Sequence, residues 1–169
     1  MKKIINYLSA LIGVVLLVII DRATKLAAVN SLSDGSEISL IDNVFSLYYV
    51  ENRGAAFGIM NGRQILLYII TIAIIVFVIV FYIKIPKTKR FFALRAVMVL
   101  IISGALGNLY DRVIQHYVID FMYFKAINFP VFNVADIYIT VGAVILIILL
   151  LFYYKDTDLK MIFKKKNEN

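Results

Sequence analysis

The sequence predicts an all-α membrane protein: four transmembrane helices with a small extracytoplasmic β element between helices one and two. Hydrophobic residues make up 62% of the 169 residues and charged residues only 17%, a composition outside the range of soluble domains. Four stretches lack any charged residue over nearly the length of about 20 residues that crosses a bilayer. They are Ile4–Ile20, Ile65–Ile83, Ala96–Tyr110 and Ile137–Tyr154. We therefore expect one integral membrane domain over residues 1–169.

The first and third stretches are short, and each extends through a few charged residues. We predict helices over about residues 4–29, 63–83, 91–112 and 135–154. Helix three then contains Arg95, which is tolerable because a long arginine side chain can reach the interface. The N-terminus also resembles a cleavable signal peptide, but Asp21, Arg22 and Lys25 interrupt it before a cleavage site. We therefore expect this segment to be retained as helix one.

The outer segment 31–61 has the pattern of a β element. Ile38–Ile41 and Val44–Val50 are rich in β-branched and aromatic residues, and Asp42-Asn43 lies between them as a turn. The aromatic side chains Phe45, Tyr48 and Tyr49 suit a water–lipid interface. We expect a small antiparallel element on the outer membrane face.

The basic residues predict the orientation in the membrane. The net charge is +7, and twelve of the 18 lysines and arginines lie before helix one, between helices two and three, or after helix four. Such an excess marks the cytoplasmic side, so both termini are expected there. Basic residues in these places contact anionic membrane lipid, so we expect no nucleic acid partner.

The composition also narrows the possible chemistry. The absence of cysteine excludes disulfides, thiolate nucleophiles and cysteine-bound metals, and the single histidine, His116, cannot build a zinc site alone. We therefore expect no metal site and no cofactor.

The unusual polar residues converge at one depth of the predicted topology, the outer interface. Asp120 and Asp136 bracket one short outer loop, and Asp136 stands where helix four begins. Two converging carboxylates at a membrane indicate an acid/base pair that shares a proton. The alternative is that Asp136 only caps a helix and Asp120 is solvated. The other polar residues of this end are Asp21, Asn52, Arg53, Asn108, Asp111, Arg112 and Asn133.

Spacing assigns local roles to some of these residues. Asn108, Asp111 and Arg112 share one helix face, and the simplest role for the last two is a mutual salt bridge in which Arg112 orients the site. Asn133 can cap helix four, which places Asp136 in its first turn. The small residues of 54–58 and 103–107 are spaced as in closely packed membrane helices.

Five ordered segments resemble the bacterial lipoprotein signal peptidases (signal peptidase II), and the match runs through nearly the whole chain. The segments are Asp21-Arg22-Ala23-Thr24-Lys25, Asn52-Arg53-Gly54-Ala55-Ala56-Phe57, Gly104–Arg112, Val118-Ile119-Asp120-Phe121 and Phe132-Asn133-Val134-Ala135-Asp136. Ser103 stands where a further glycine is usual in the third motif, a small-for-small departure.

The resemblance implies an intramembrane aspartic endopeptidase of the bacterial cytoplasmic membrane, a monomer with its site near the outer leaflet. It would cut diacylglyceryl-modified prolipoproteins just before the lipidated cysteine, and globomycin-type cyclic peptides would inhibit it. Asp120 and Asp136 would be the catalytic pair. The supporting and substrate-binding residues would be Asp21, Lys25, Asn52, Arg53, Gly54, Gly104, Asn108, Asp111, Arg112 and Asn133.

Two other functions compete with this interpretation. A small proton- or ion-coupled transporter could use Asp21, Asp120 and Asp136 as carriers. Its site is expected near the midplane, however, whereas these acids gather at one face. A non-catalytic assembly factor would explain the helices but not the pair of aspartates.

Overall fold

The structure is a computed structural model that describes residues 2–54 and 64–163. Ala55-Ala56-Phe57 of the second motif, residue 63 at the predicted start of helix two, and the basic residues Lys164–Lys166 lie outside the described residues. Within the described part, five α-helices and three β-strands follow the order α1, β1, β2, α2, α3, β3, α4, α5.

Four helices in the described part are long and apolar enough to cross a membrane, as predicted. They are α1 (Lys2–Leu32), α2 (Gln64–Lys84), α3 (Phe92–Gln115) and α4 (Val134–Ile148). A π-helical turn, Leu149–Tyr153, continues α4, so this span reaches Tyr153. A continuous α1 carries the charged residues of the first motif, Asp21, Arg22 and Lys25, within its last 12 residues.

Helix α3 is the centre of the bundle, because it packs against α1, α2 and α4. Its buried residues Leu94, Val97 and Met98 belong to the main apolar core. The other three spans expose many large apolar side chains, such as Ile65, Phe77 and Leu151. Helices that are apolar on nearly all sides suit a lipid environment.

Glycines allow α3 and α4 to approach closely, which confirms the predicted packing for the third motif. A Cβ on Gly104 would collide with the carbonyl oxygen of Ala135, and a Cβ on Gly107 would lie 2.5 Å from Asp21 Oδ2. Ser103 is fully buried, and its hydroxyl donates to the Val99 carbonyl at 2.7 Å. The departure from glycine at this position therefore leaves no unpaired polar group.

The predicted β element is present and larger than expected. Strands β1 (Glu37–Ile41) and β2 (Phe45–Asn52) pair around the Asp42-Asn43 turn, and β3 (Val118–Phe124) completes an antiparallel sheet in the order β1-β2-β3. Strand β3 lies in a segment that was expected to be an outer loop. Its first four residues are all buried, so the alternation of exposed and buried residues that identifies a strand is missing. We call this end of the bundle the sheet end.

A fifth helix, α5 (Asp156–Phe163), was not predicted and lies at the opposite end. Arg90 fastens it to the bundle, with hydrogen bonds to Asp158 Oδ2 at 2.8 Å and the Tyr153 carbonyl at 2.7 Å. The side chain of Arg95 extends back to the loop between α2 and α3, at the end of the span where the interface is expected. It is only 9% exposed, and its Nη1 donates to the carbonyls of Pro86 and Thr88 at 2.7 and 3.1 Å. It therefore closes the loop between α2 and α3.

Candidate active site

Strand β3 directs Asp120 away from the small core of the sheet. Ile119 and Phe121 pack with Ala28 and Leu32 at the end of α1. Because successive side chains of a strand alternate between faces, Asp120 points to the other side, where it lines a cavity. It is nevertheless only 2% exposed.

The chain between the two aspartates folds back along β3. Phe132 accepts a hydrogen bond from the Met122 N–H at 2.8 Å and donates its own N–H to the Met122 carbonyl at 3.0 Å. This bridge places Asn133, the next residue, beside the start of β3. The short loop thereby brings the two predicted catalytic residues to one place.

Asn133 joins the two carboxylates. Its side chain caps α4 and accepts from the Asp136 N–H, while Asp136 Oδ2 accepts the Asn133 N–H at 3.1 Å, which is a capping box. Its Nδ2 donates to Asp120 Oδ1 at 2.6 Å. The predicted cap is confirmed, and the same residue contacts both aspartates.

Two further asparagines complete the hydrogen bonds to the pair. Asn52 Nδ2 donates to Asp120 Oδ2 at 2.9 Å, and Asn108 Nδ2 donates to Asp136 Oδ1 at 2.7 Å. Asn52 pairs with Val118 in the sheet, which puts it diagonally across from Asp120 on the same face. Each carboxylate therefore accepts hydrogen bonds at both of its oxygens.

A buried ion cluster lies behind this layer of asparagines. The ammonium of Lys25, which is 0% exposed, lies 2.8 Å from Asp21 Oδ2, 2.9 Å from Asp111 Oδ2 and 3.0 Å from Asn108 Oδ1. Asp21 also accepts the N–H of Ala135 in the first turn of α4, at 2.9 Å. The cluster ties α1, α3 and α4 together directly beneath the paired aspartates.

The expected salt bridge between Asp111 and Arg112 is wrong. Asp111 pairs with Lys25 and with Arg22, whose Nη1 lies 3.2 Å from Asp111 Oδ1. Arg112 points to the other side of α3, where it lines the cavity and donates to the Gly54 carbonyl at 3.2 Å. Adjacent residues of a helix do not face each other, so Asp111 contacts the basic residues of α1 while Arg112 lines the cavity.

Gly54 belongs to the site, and Arg53 does not. The Gly54 N–H donates to Asn52 Oδ1 at 2.9 Å, which leaves the Asn52 amide nitrogen for Asp120. The side chain of Arg53 is 60% exposed, pairs with Glu51 at 2.9 Å and lies over the Tyr117 ring. Among the described residues, Arg53 is the one predicted supporting residue that takes part neither in the hydrogen bonds and ion pairs around the two aspartates nor in the close contact of α3 with α4.

The cavity beside the aspartates has a volume of about 420 Å³. Its polar wall consists of Asn52, Asn108, Arg112, Asp120, Asp136 and Thr140. Its apolar wall consists of Val118, Phe124, Phe129, Pro130, Val131, Phe132, Ile137, Ile139 and Val141. This apolar wall and Thr140 were not predicted from the sequence. The position of Thr140 could have been predicted, since Thr140 follows Asp136 by four residues, which is one helical turn along the same face.

The setting of Asp120 changes its ionisation. Burial raises the pKa of Asp120 to about 7, and the neighbouring charge of Asp136 adds to the rise. Hydrogen bonds from Asn52 and Asn133 and the charge of Lys25 lower that pKa but do not offset the burial. A carboxyl group that binds a proton near neutral pH beside a second carboxylate can act as an acid or a base.

Fold and site together define a membrane protein with four spans in its described residues and a pair of carboxylates, Asp120 buried and Asp136 half-buried, beside a largely apolar cavity. Comparison with known proteins identifies the family. The family model described as signal peptidase (SPase) II matches residues 13–152. The chain belongs to the signal peptidase II family and is a membrane-embedded peptidase.

Individual relatives agree with this assignment. A lipoprotein signal peptidase of Clostridium novyi (strain NT) is 49% identical over 137 residues, which cover 79% of this chain and 91% of that protein. One from Clostridium tetani (strain Massachusetts / E88) is 44% identical over 83% of this chain and 91% of its own length. A solved structure described as a bacterial membrane enzyme is 30% identical, with a TM-score of 0.74 over 95% of this chain and 94% of that chain.

Proposed function

We propose that this chain is an intramembrane aspartic endopeptidase that removes the signal peptide from diacylglyceryl-modified prolipoproteins, cutting just before the lipidated cysteine. The observation that carries the proposal is that Asp120 and Asp136 line one wall of a cavity and are both hydrogen-bonded to Asn133. The name of the relatives, lipoprotein signal peptidase, supports the substrate class. We further propose that one chain suffices, since both carboxylates belong to it.

The proposed reaction needs one proton shared by the two carboxyl groups. The ionised group takes a proton from a water molecule as the water oxygen attacks the carbonyl carbon, and the protonated group donates to the carbonyl oxygen. The roles then reverse: a proton passes to the amide nitrogen, the C–N bond breaks, and an acid and an amine are released. The raised pKa of Asp120 supports a pair that retains this proton near neutral pH.

The cavity supports an apolar substrate. Side chains such as Phe129, Ile137 and Val141 line it beside the polar wall. A signal peptide and a diacylglyceryl group are both apolar, so this wall can hold them while the aspartates reach the peptide bond. Arg112, on the same wall, is proposed to position the backbone at Gly54 rather than to react.

The direct test is cleavage by the purified full-length chain. A diacylglyceryl-modified prolipoprotein should yield the free signal peptide and a product that begins at the lipidated cysteine, as identified by mass spectrometry. A globomycin-type cyclic peptide should block the reaction. A chain that leaves the modified substrate intact, or cuts at another bond, would contradict the proposal.

The pH dependence of cleavage should follow the shared proton. As pH rises through about 7, Asp120 loses its proton, and the pair then has no general acid. We expect kcat/KM to fall on that alkaline side, measured between pH 5 and 9 in one lipid and detergent mixture. A flat profile from pH 6 to 9 would be incompatible with this role for the pair.

The raised pKa of Asp120 also makes the stability of the fold depend on pH. Because burial raises the folded-state pKa of Asp120 above its unfolded value of about 3.9, this group favours folding at low pH. That contribution is lost as pH rises from about 4 to about 7. The Tm of the parent should therefore fall across this window more than the Tm of Asp120→Asn.

We propose that the sheet end faces outward and that both termini are cytoplasmic, which places the site near the outer leaflet. The chain has no cysteine, so single cysteines report position cleanly. Ser33→Cys at the sheet end and Lys89→Cys in the loop before α3 should react with an impermeant thiol reagent from opposite sides of intact cells. Reaction of both from the same side would overturn the topology.

A further inference from the structure

A second groove lies at the α5 end, far from the paired aspartates. It has a volume of about 440 Å³ and runs between α1 and α3, with Tyr82 of α2 at one side. On α1 its lining extends from Asn6 to Leu17. At a rise of 1.5 Å per residue this is about 16 Å, or half of the roughly 30 Å thickness of the hydrocarbon core. The groove therefore has the depth of one lipid leaflet.

Two basic side chains, Arg95 and Lys87, lie at this groove. Arg95 lines it, and the hydrogen bonds of Arg95 within the described residues come from Nη1 alone. The ammonium of Lys87 lies 4.3 Å from the centre of the Tyr7 ring and 4.4 Å from that of Tyr82. Among the residues described, neither cation forms an ion pair with a carboxylate.

We infer that this groove is a binding site for an anionic phospholipid of the leaflet at the α5 end. The phosphate would lie between Lys87 and the free edge of the Arg95 guanidinium, and one acyl chain would lie along Leu17, Val99 and Leu100. Guanidinium and ammonium groups are the usual partners of phosphate. The site does not depend on the peptidase activity.

The electrostatics of Lys87 support an anion at this place. Burial lowers the pKa of Lys87, and the charge of Arg95 lowers that pKa further. Two cations brought together without a counter-charge destabilise each other. A phosphate between them would remove that repulsion, so bound lipid should also stabilise the fold.

The experiment measures lipid retention by the purified, delipidated full-length chain in detergent, with native mass spectrometry. Dioleoyl phosphatidylglycerol and dioleoyl phosphatidylcholine are the two probes, since their acyl chains are identical and only the headgroup charge differs. We expect one phosphatidylglycerol per chain, bound at least tenfold more tightly than phosphatidylcholine. Equal binding of the two lipids would overturn the inference.

Variants locate the site. Lys87→Gln should weaken phosphatidylglycerol binding about fivefold, the effect of one basic residue at an anionic surface, whereas Lys89→Gln in the same loop should not. Ala96 lines the groove and is exposed, so Ala96→Phe should fill the groove and prevent binding without disturbing the core. Ala73→Phe, on the exposed face of α2, is its matched control.

Three results would contradict the site. The first is unchanged phosphatidylglycerol binding by Ala96→Phe, and the second is an equal loss in Lys87→Gln and Lys89→Gln. The third is a thermal stabilisation by millimolar inorganic phosphate that matches the effect of the lipid, because the ligand would then be a free phosphate. Parent-like binding by both control variants, with loss in Lys87→Gln and Ala96→Phe, would support the inference.

Discussion

Replacement of either aspartate by asparagine should abolish cleavage while the protein stays folded and inserted. The changes are Asp120→Asn and Asp136→Asn. An amide keeps the shape of the side chain but cannot exchange a proton as a carboxyl group does, so the acid/base cycle fails. Both variants should keep a Tm close to that of the parent, because the removal of charge from the pair offsets the loss of one accepted hydrogen bond at the new amide nitrogen. Cleavage of a modified prolipoprotein, followed over hours, measures the loss.

The double variant sharpens this test. Because the two groups are proposed to act as one unit, Asp120→Asn with Asp136→Asn should be hardly slower than either single variant. Asp34→Asn is the control, since Asp34 is exposed in the turn before β1. Near-parental processing by either single asparagine variant would exclude the aspartic mechanism. Multiplying effects in the double variant would indicate that the two groups act independently.

Removal of the buried ammonium should give the largest loss of stability. Lys25→Met leaves Asp21 and Asp111 in a dry environment without the cation that lies 2.8 and 2.9 Å away from them. Removing one partner of a buried ion pair lowers the free energy of unfolding by about 3–5 kcal/mol. Asn108 also loses its hydrogen bond from Lys25, so its contact with Asp136 loosens. We expect a large fall in Tm together with loss of cleavage.

Comparison of Lys25→Met with Lys125→Met separates the effect of losing a buried ion pair from the effect of losing a positive charge. Lys125 and Glu37 form an ion pair of the same length, 2.8 Å, but their side chains are 45% and 36% exposed. Lys125→Met should therefore leave Tm unchanged. Adding Asp21→Asn to Lys25→Met should recover part of the stability, because Lys25 is the cation that pairs with Asp21 among the described residues, whereas Asp111 keeps Arg22. An unchanged Tm in Lys25→Met would mean that the cluster does not stabilise the fold.

The helices and the cap of α4 could be predicted from the sequence because both depend on local patterns. A charge-free run of membrane length determines a span regardless of its neighbours. Asn133 and Asp136 lie three residues apart, which is sufficient to predict the cap. The gathering of polar residues at one end also followed from topology alone, because helices that alternate in direction bring alternate ends together.

The partners of Asp111 could not be predicted in this way. Its contact with Arg22 joins residues 89 positions apart and depends on how α1 is rotated against α3. Strand β3 was missed because both its faces are covered at Asp120, and a strand buried on both sides has no alternating pattern. The apolar wall of the cavity forms from three separate segments, so no single stretch indicates it.

The ion pair within α1 bears on how the protein enters the membrane during synthesis. Asp21 and Lys25 are one turn apart in the same helix, so each has a partner of opposite charge as soon as α1 forms. Asn108, which also contacts Lys25, follows 83 residues later. Early pairing lowers the cost of placing these two charges near lipid before α3 is made. Asp21 and Lys25 can thus stay paired near lipid during synthesis until α3 and α4 are made and the ion cluster is completed.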